Sequence, residues 1–203
     1  MDHRLATIEE VEGLGPKGNT VSVCTADHAE HAYRKYEEFV KNPGPVVIGD
    51  AQFSSFFGPA YEYAFIVDAD LRKRKTRDKV PMTYITSEPY IGHLGLGGVG
   101  DSKGLLESEL RQRHISWIVN AKILRAETDK LIVAGHNNEG QVIKEHEVPF
   151  DYSMILPAFK GVDAVANVEN LCNPRGFVFV DEHQRNFNCS IWVNGRCVET
   201  VNG

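Results

Sequence analysis

The sequence has 203 residues, 42% of them hydrophobic and 25% charged, and a formal net charge of −6 at pH 7. A chain of this length can form one large or two small domains and bury about 70% of the surface that it exposes when unfolded. Its negative charge argues against a nucleic-acid-binding protein, and it contains no apolar run of the ~20 residues that a transmembrane helix needs. The composition is that of a soluble protein. Four cysteines without C-x-x-C spacing leave the cellular compartment open.

The first predicted element is an amphipathic helix. Thr25 or Asp27 can cap its N-terminus, and the helix extends to about residue 41 with its apolar residues on one side. Four consecutive cations at residues 72–75 are interpreted as the C-terminal end of a second helix rather than as a site for a polyanion, because cations offset the helix dipole there.

A strand–turn–helix–strand unit follows the first helix. The apolar run 46–49 is typical of a buried parallel strand, Gly58 opens a helix, and the next strand ends close to Glu88. In a nucleotide-binding unit of this kind the first turn is glycine-rich, so that backbone amides contact a pyrophosphate, and an acid after the second strand holds a ribose. Glu88 has the position of that acid. The turn 50–57, however, has no glycine and three phenylalanines, and the carboxylate of Asp50 would repel a phosphate. The pattern therefore predicts the architecture without its usual ligand.

A glycine-dense loop and a third helix come next. Residues 95–100 match G-x-G-x-x-G but do not directly follow a strand, and the strand after the next helix ends at Asn120 rather than at an acid. The loop is therefore interpreted as one that approaches its neighbours closely, not as a dinucleotide fingerprint. Asp101 or Ser102 caps the third helix, which runs to about residue 113. Three leucines are expected to face the core from it, namely Leu105, Leu106 and Leu110.

The rest of the chain is predicted to be mainly β-structure. The predicted strands from the second helix onward are residues 82–86, 115–119, 122–127, 130–135, 141–148, 153–156 and 177–181. The three between 122 and 148 form a β-meander, whereas 153–156 and 177–181 are expected to lead back into a different core. The order of elements predicts an α/β fold with a parallel sheet, helices and a β-meander, and residues 44–150 are expected to form the autonomous core.

Several long stretches carry a resemblance to a known family. They are CTADHAEHAYRKYEEFVKNPGPVVIGDAQ, FFGPAYEYAF, VPMTYITSEPYIGHLGLGGVGDSKGLLESELRQRHISWI, HEVPFDYSMILPAFKGVDAV and LCNPRGFVFVDEHQRN. The chain resembles sulfide:quinone oxidoreductase, a flavoprotein of the pyridine nucleotide–disulfide oxidoreductase superfamily, over about residues 14–186.

The resemblance implies two Rossmann-like FAD/NAD(P)-binding-type domains, the first holding FAD and the second resembling an NAD domain that uses no nucleotide. On this basis residues 1–43 are expected to be a remnant of the FAD-type domain with a connecting helix, 44–150 the second domain, and 151–203 a return segment of the FAD-type domain. Sulfide is oxidised by cysteine sulfurs on one flavin face, and quinone takes the electrons on the other. The family is peripheral to the bacterial cytoplasmic membrane through C-terminal helices that this sequence does not contain. Apolar surface left uncovered in such a segment would favour a homo-oligomer.

The resemblance also implies a set of site residues. Cys24 matches the first of three redox cysteines and Phe56 stands where the second is found, while the third would lie beyond Gly203. Phenylalanine has no nucleophile and carries neither a persulfide nor a disulfide. The family's glycine-rich FAD turn would precede Met1. We therefore expect a central segment with low affinity for FAD and no catalysis on its own.

His28 and His93 match histidines implicated in proton transfer near the sulfur and the flavin, and Glu62 matches a carboxylate with a similar role. Gly195 loosely echoes a glycine that approaches the flavin. Sulfide oxidation releases protons, so such groups suit the chemistry.

Each candidate has a structural alternative. Cys24 is either a thiolate assisted by the following helix N-terminus or a small, partly buried apolar residue. Glu62 is either a proton-transfer group or a helix N-terminal acid favoured by the dipole, and His93 is either catalytic or structural. Cys24, His28 and His31 have a spacing that zinc could use, but no second cluster at finger spacing accompanies them, so no metal is predicted.

The leading functional hypothesis is the central part of a sulfide:quinone oxidoreductase-type enzyme, with FAD as cofactor and sulfide and quinone as substrates. The alternative is a non-catalytic α/β binding or interaction module. An NAD(P)H-dependent disulfide reductase is disfavoured by the glycine-free turn and by the absence of C-x-x-C.

Overall fold

A computed structural model describes residues 11–54, 56–161, 163–166, 168, 170–181, 183, 185–186 and 198–200. The chain divides into two compact units, one with the described residues from 11 to 158 and the other with those from 159 onward. Within the described ranges, no helix is long and apolar enough to cross a membrane.

The first unit contains three α-helices and seven strands. The helices are α1 (Ala26–Phe39), α2 (Gly58–Lys73) and α3 (Ser102–Gln112), with a short 3-10 helix at Arg77–Lys79. The strands are β1 (Val46–Asp50), β2 (Met82–Ile85), β3 (Ile115–Ile118), β4 (Ala121–Ala126), β5 (Lys130–His136), β6 (Val142–Pro149) and β7 (Tyr152–Leu156). These elements confirm the α/β class, the parallel sheet and the β-meander that the sequence predicted.

Four strands form a parallel sheet in the order β3-β2-β1-β7. β1 lies in the middle, with Ile48 opposite Tyr84 of β2 on one side and opposite Met154 of β7 on the other. The expectation that residues 153–156 lead into a different core is therefore wrong. An apolar run gives no information about which neighbour a strand pairs with, and β7 completes the sheet beside β1.

The two faces of this sheet carry different layers. Because successive side chains of a strand point to opposite faces, Val46 and Ile48 pack with the helices, and Val47 packs with the meander β4-β5-β6. Leu71 of α2 and Leu131 of β5 are fully buried on their respective sides. The sheet is thus covered on both faces, which accounts for the continuous apolar sequence of its central strand.

The N-terminal segment also belongs to the first unit. Val21 forms an isolated parallel bridge with Met154, and the hydroxyl of Tyr152 donates to the carbonyl of Ala32 in α1 over 3.3 Å. The compact unit therefore extends beyond residues 44–150 at both ends, because α1 and β7 bury their apolar residues against the same helical core. The assignment of these segments to FAD-type and nucleotide-free domains stays a prediction.

The helix ends follow the predicted signals. Thr25 is the N-cap of α1, and its hydroxyl accepts from the amide of His28 over 3.2 Å. In α3, Leu110 is fully buried and Leu106 is partly buried, but Leu105 is 61% exposed. Its predicted inward orientation is wrong, because the buried stripe follows the i, i+4 pair of Leu106 and Leu110 and leaves its sequence neighbour outside.

The second unit is small. It contains α4 (Asp163–Ala166), β8 (Val178–Val180) and β9 (Val198–Thr200). β8 pairs in parallel with β9, with Val178 opposite Val198, and Cys172 forms an isolated antiparallel bridge to Val178. β8 lies within the predicted strand 177–181.

A buried ion pair fixes the connection after α2. Asp68 of α2 is 2% exposed, and its Oδ1 accepts from Nε of Arg77, which is 8% exposed, over 2.6 Å. The same guanidinium donates to the carbonyls of Val80, Arg113 and His114 over 2.6, 2.5 and 3.2 Å. Arg77 thus joins α2, the end of α3 and the entry to β2 through donors that a single planar group supplies.

Replacing Arg77 should destabilise the protein strongly. Arg77→Leu removes the donor to Oδ1 of the buried Asp68 and to three carbonyls. We expect a loss of about 3–5 kcal/mol in the free energy of unfolding, measured by urea denaturation. Arg72→Leu is the matched control, since Arg72 also binds Asp68, over 2.8 Å, but its side chain is 47% exposed. It should cost less than about 1 kcal/mol. Equal losses in the two variants would contradict the role given to Arg77.

Candidate functional site

Two acids lie at the carboxyl edge of the parallel sheet, where ligands bind in open α/β sheets. Asp50 ends β1 and is fully buried. Its Oδ1 accepts from the amide and the hydroxyl of Ser87, each over 3.1 Å, whereas Oδ2 has no partner among the described residues. Thr86 lies beside it but donates its hydroxyl hydrogen to Glu88. Burial raises the pKa of Asp50 to about 7, and the charge of Glu88 acts in the same direction.

Glu88 is the second acid, and it does not face a ligand. It is 2% exposed, and its Oε2 accepts from the hydroxyls of Tyr61 over 2.6 Å and Thr86 over 3.0 Å. Its Oε1 accepts from the amide of Leu94 over 2.5 Å. Glu88 thus has the sequence position of a ribose-binding acid, but both of its oxygens accept hydrogen bonds inside the protein. Glu88 does follow β2 as predicted, but the loop that comes after it folds back over its carboxylate.

The turn between β1 and α2 does not fit a dinucleotide. Asp50 is buried beneath it, and Phe53 adopts φ 64° with its side chain half exposed. Phe57 precedes α2 and packs against the helical core, while Phe56 beside it is partly buried. A pyrophosphate needs backbone amides that a ligand can approach closely, and here aromatic side chains take that place. The absence of a nucleotide from this turn stays a prediction.

A second group of residues lies before α1. The hydroxyl of Ser22 is 2.8 Å from Nδ1 of His28, and Ser22 is also a neighbour of Cys24 that acts on the pKa of its thiol. Ser22 is 2% exposed, whereas Cys24 and His28 are partly buried. Burial raises the pKa of the Cys24 thiol, and the hydrogen bond from Ser22 opposes that shift. The structure thus places Ser22 beside both Cys24 and His28, and the raised pKa of Cys24 favours a protonated thiol in the resting protein.

The other predicted residues are not brought into one cluster. Glu62 is exposed on α2, and His93 is partly buried in the glycine loop, with its ring edge-on to that of Tyr90 at 5.1 Å. Gly195 lies outside the described residues. Among those described, no three His, Cys, Asp or Glu side chains are grouped as metal ligands, Cys24 and His28 included.

The sequence analysis missed the roles of two polar residues of these sites, Ser22 and Tyr61. Ser22 carried no signal, because a lone serine before a helix is common. Tyr61 was counted only as a core residue, yet its hydroxyl links Glu88 to the backbone of Gly92. A signal for the contact between Tyr61 and Glu88 was present in the sequence, because a βαβ unit places the helix with the tyrosine beside the strand that the acid follows.

No protein-family model matches the chain. It is 45% identical to the sulfide-quinone reductase of Aquifex aeolicus (strain VF5) over 161 residues, which is 79% of this chain and 36% of that relative. The crystal structure of the sulfide:quinone oxidoreductase from Aquifex aeolicus matches with a TM-score of 0.79 and 39% identity, covering 97% of this chain and 43% of that one. The resemblance inferred from the sequence is confirmed.

The extent of these matches is partial. The chain spans little more than a third of the curated relative and less than half of the solved chain. More distant structures show the fold alone. They are NDH2 from Plasmodium falciparum in complex with NADH, with a TM-score of 0.64 and 10% identity over 94% of this chain and 41% of that one, and a NAD-dependent persulfide reductase from A. fulgidus, with 0.58 and 19% over 96% and 32%.

The buried Asp50 should make stability depend on pH. The unfolded chain ionises Asp50 at about pH 4, whereas the folded protein retains the proton up to about pH 7. The free energy of unfolding should therefore fall by up to about 1.4 kcal/mol per pH unit between these values and level off above them. Asp50→Asn should remove that slope in denaturation measured from pH 4 to pH 8. Asp101→Asn, at an exposed aspartate, is the control and should keep it. A slope unchanged in Asp50→Asn would disprove the assignment.

Proposed function

We propose that this chain takes part in the oxidation of sulfide with transfer of the electrons to quinone, as a sulfide:quinone oxidoreductase-type protein. The observation that carries the proposal is its similarity to the Aquifex sulfide-quinone reductase over most of the chain. The motifs quoted in the sequence analysis and the geometry around Cys24 support this proposal. They also indicate what individual residues of this chain contribute.

In the proposed reaction Cys24 contributes a sulfur atom, and its neighbours provide a path by which the thiol proton can leave. In the proposed function Cys24 matches the first redox cysteine of the family. Its thiol must lose a proton before it can attack or bind sulfur, and the hydroxyl of Ser22 connects it to Nδ1 of His28. A histidine is suited to take up that proton near neutral pH and, being partly exposed, to release it to water. Ser22 is therefore added to the predicted pair of Cys24 and His28.

His93 and Glu62 are assigned proton transfer on the strength of the family resemblance. His93 is held in a loop whose backbone is fixed on both sides, which suits a group that must keep one position. Glu62 is exposed near the start of α2. That position also fits the structural alternative, since an acid there is favoured by the helix dipole.

FAD supplies the two-electron acceptor in the proposed function. The turn between β1 and α2 does not fit the pyrophosphate of FAD, so in the proposed function the flavin is bound by residues outside this turn. The division into FAD-type segments and a nucleotide-free domain, the use of quinone, attachment to a membrane surface and a homo-oligomeric state all belong to this proposal.

Phe56 sets a limit on the chemistry. It stands at the position of the second redox cysteine, and a phenyl ring forms neither a persulfide nor a disulfide. We therefore expect no sulfide-dependent quinone reduction by this chain on its own. The same substitution favours the alternative, a non-catalytic module that keeps the fold, and the visible absorbance of the purified protein separates the two. Flavin bands support the enzyme, and a colourless protein supports the module.

A chimera tests the proposed function directly. Residues 14–186 would replace the matching segment of the Aquifex sulfide-quinone reductase, and we expect flavin absorbance without turnover. Phe56→Cys in this chimera should raise sulfide-dependent quinone reduction by about two orders of magnitude or more, because a covalent nucleophile returns. Phe53→Cys, in the same turn, is the matched control and should restore nothing. Full turnover in the chimera that retains Phe56, or none after Phe56→Cys, would contradict the proposal.

The proton route from Cys24 can be tested in the chain itself. Alkylation of Cys24 by iodoacetamide, followed by peptide mass spectrometry across pH, gives the midpoint at which the thiolate forms. Ser22→Ala should move that midpoint upward, because the thiolate loses a hydrogen-bond donor, and Ser22→Thr should restore it. Ser153→Ala is the control, since it removes a hydroxyl that is buried on β7 without a described partner. An identical midpoint in Ser22→Ala and the unmodified protein would exclude Ser22 from the route.

A further inference from the structure

Glu88 is a buried acid to which the proposed function assigns no role. A carboxylate that is 2% exposed must be paired or hydrogen-bonded to be tolerated. Here the three donors come from three different segments, namely Tyr61 on α2, Thr86 at the end of β2 and the amide of Leu94 in the glycine loop. Glu88 therefore ties a loop to a helix and a strand.

Tyr61 extends this connection to a second point of the loop. Its hydroxyl donates to Glu88 over 2.6 Å and accepts from the amide of Gly92 over 3.1 Å. The residues on both sides of His93, Gly92 and Leu94, thus have their amides bound to the same Tyr61–Glu88 pair. The hydrogen bond from Leu94 is charge-assisted and short, at 2.5 Å.

The backbone of this segment needs such support. Gly92 has φ 81° and Leu94 has φ 55°, so the chain enters the left-handed region on either side of His93. For leucine that conformation is strained and persists where surrounding contacts over-determine it. The carbonyl of His93 adds two bonds, accepting from Leu96 over 3.0 Å and from Gly98 over 2.8 Å.

The pair is itself fixed by the core. The Tyr61 ring is 2% exposed and stacks on the ring of Tyr84 with centroids 4.4 Å apart. Tyr61 lies one helical turn after Phe57, and a Cβ built on Gly95 would come within 3.2 Å of the Phe57 ring. The loop that carries His93 is therefore packed against the same part of α2 that follows Phe56.

We propose that Glu88 and Tyr61 are positioning residues for His93, which hold its backbone through the amides of Gly92 and Leu94. The part of the inference that concerns proton transfer by the imidazole rests on the proposed function, while the placement of the imidazole does not. A carboxylate in the position of a ribose-binding acid serves here to fix a histidine.

The test compares two tyrosine variants of the same helix by amide hydrogen exchange and by the NMR signals of the His93 ring. Tyr61→Phe removes the acceptor of Gly92 and a donor to Glu88. Tyr63→Phe removes a tyrosine hydroxyl from the same helix, whose partly buried bond to the hydroxyl of Tyr152 at 2.5 Å does not involve the loop. Exchange at Gly92 and Leu94 should accelerate about tenfold in Tyr61→Phe relative to Tyr63→Phe, and the His93 Cε1–H resonance should move only in Tyr61→Phe.

Glu88 provides the second arm. Glu88→Gln keeps an oxygen for the amide of Leu94, so exchange there should rise less than in Glu88→Ala, and the His93 resonance should stay closer to its original position. Equal acceleration in Tyr61→Phe and Tyr63→Phe, or an unmoved His93 resonance in Tyr61→Phe and Glu88→Ala, would overturn the inference. These measurements need no turnover. They decide the placement of His93 whether or not the sulfide chimera is active.

Discussion

Burying a carboxylate is costly unless donors reach it, and this protein buries two, Asp50 and Glu88, at the carboxyl edge of one parallel sheet. The cost of burial is offset in a different way for each acid. Glu88 gathers donors from three segments and so organises the loop around His93. Asp50 lacks a partner for one oxygen among the described residues and keeps its proton to about pH 7 instead. Together they occupy the edge at which a nucleotide-binding sheet of this architecture holds its ligand.

Local patterns predicted most elements because their signals lie in adjacent residues. A threonine before an amphipathic stretch identified α1, and Gly58 marked the start of α2. The wrong predictions concern which strands pair and which side chains are buried. The strand β7 was recognised, but an apolar run does not encode that β1 is its neighbour. Leu105 was placed inside because three leucines in one helix suggest one face, whereas Leu110 is fully buried, Leu106 is partly buried and Leu105 is exposed.

The candidate site was predicted less completely for a related reason. The resemblance supplied Cys24, His28, Glu62 and His93, since long motifs carry residue identities. It did not supply Ser22, which connects two of them only in three dimensions. The helix N-terminus next to Cys24 suggested a lowered thiol pKa, but burial outweighs it and raises that pKa. Desolvation depends on neighbours distant in sequence, which no local motif records.

Under the proposed function, the interactions that stabilise the fold are separable from the sulfur chemistry, and Phe56 illustrates the point. The interactions that hold the sheet edge, the loop and α2 together run through Tyr61, Glu88 and the core, and no bond described among them requires a cysteine at residue 56. A phenyl ring there adds apolar area to a turn that already contains two others. In the proposed function, a phenylalanine in place of the family's cysteine is therefore compatible with the scaffold and with the placement of His93. For that reason a single substitution at residue 56, in the presence of the remaining family segments, is enough to ask whether the chemistry can return.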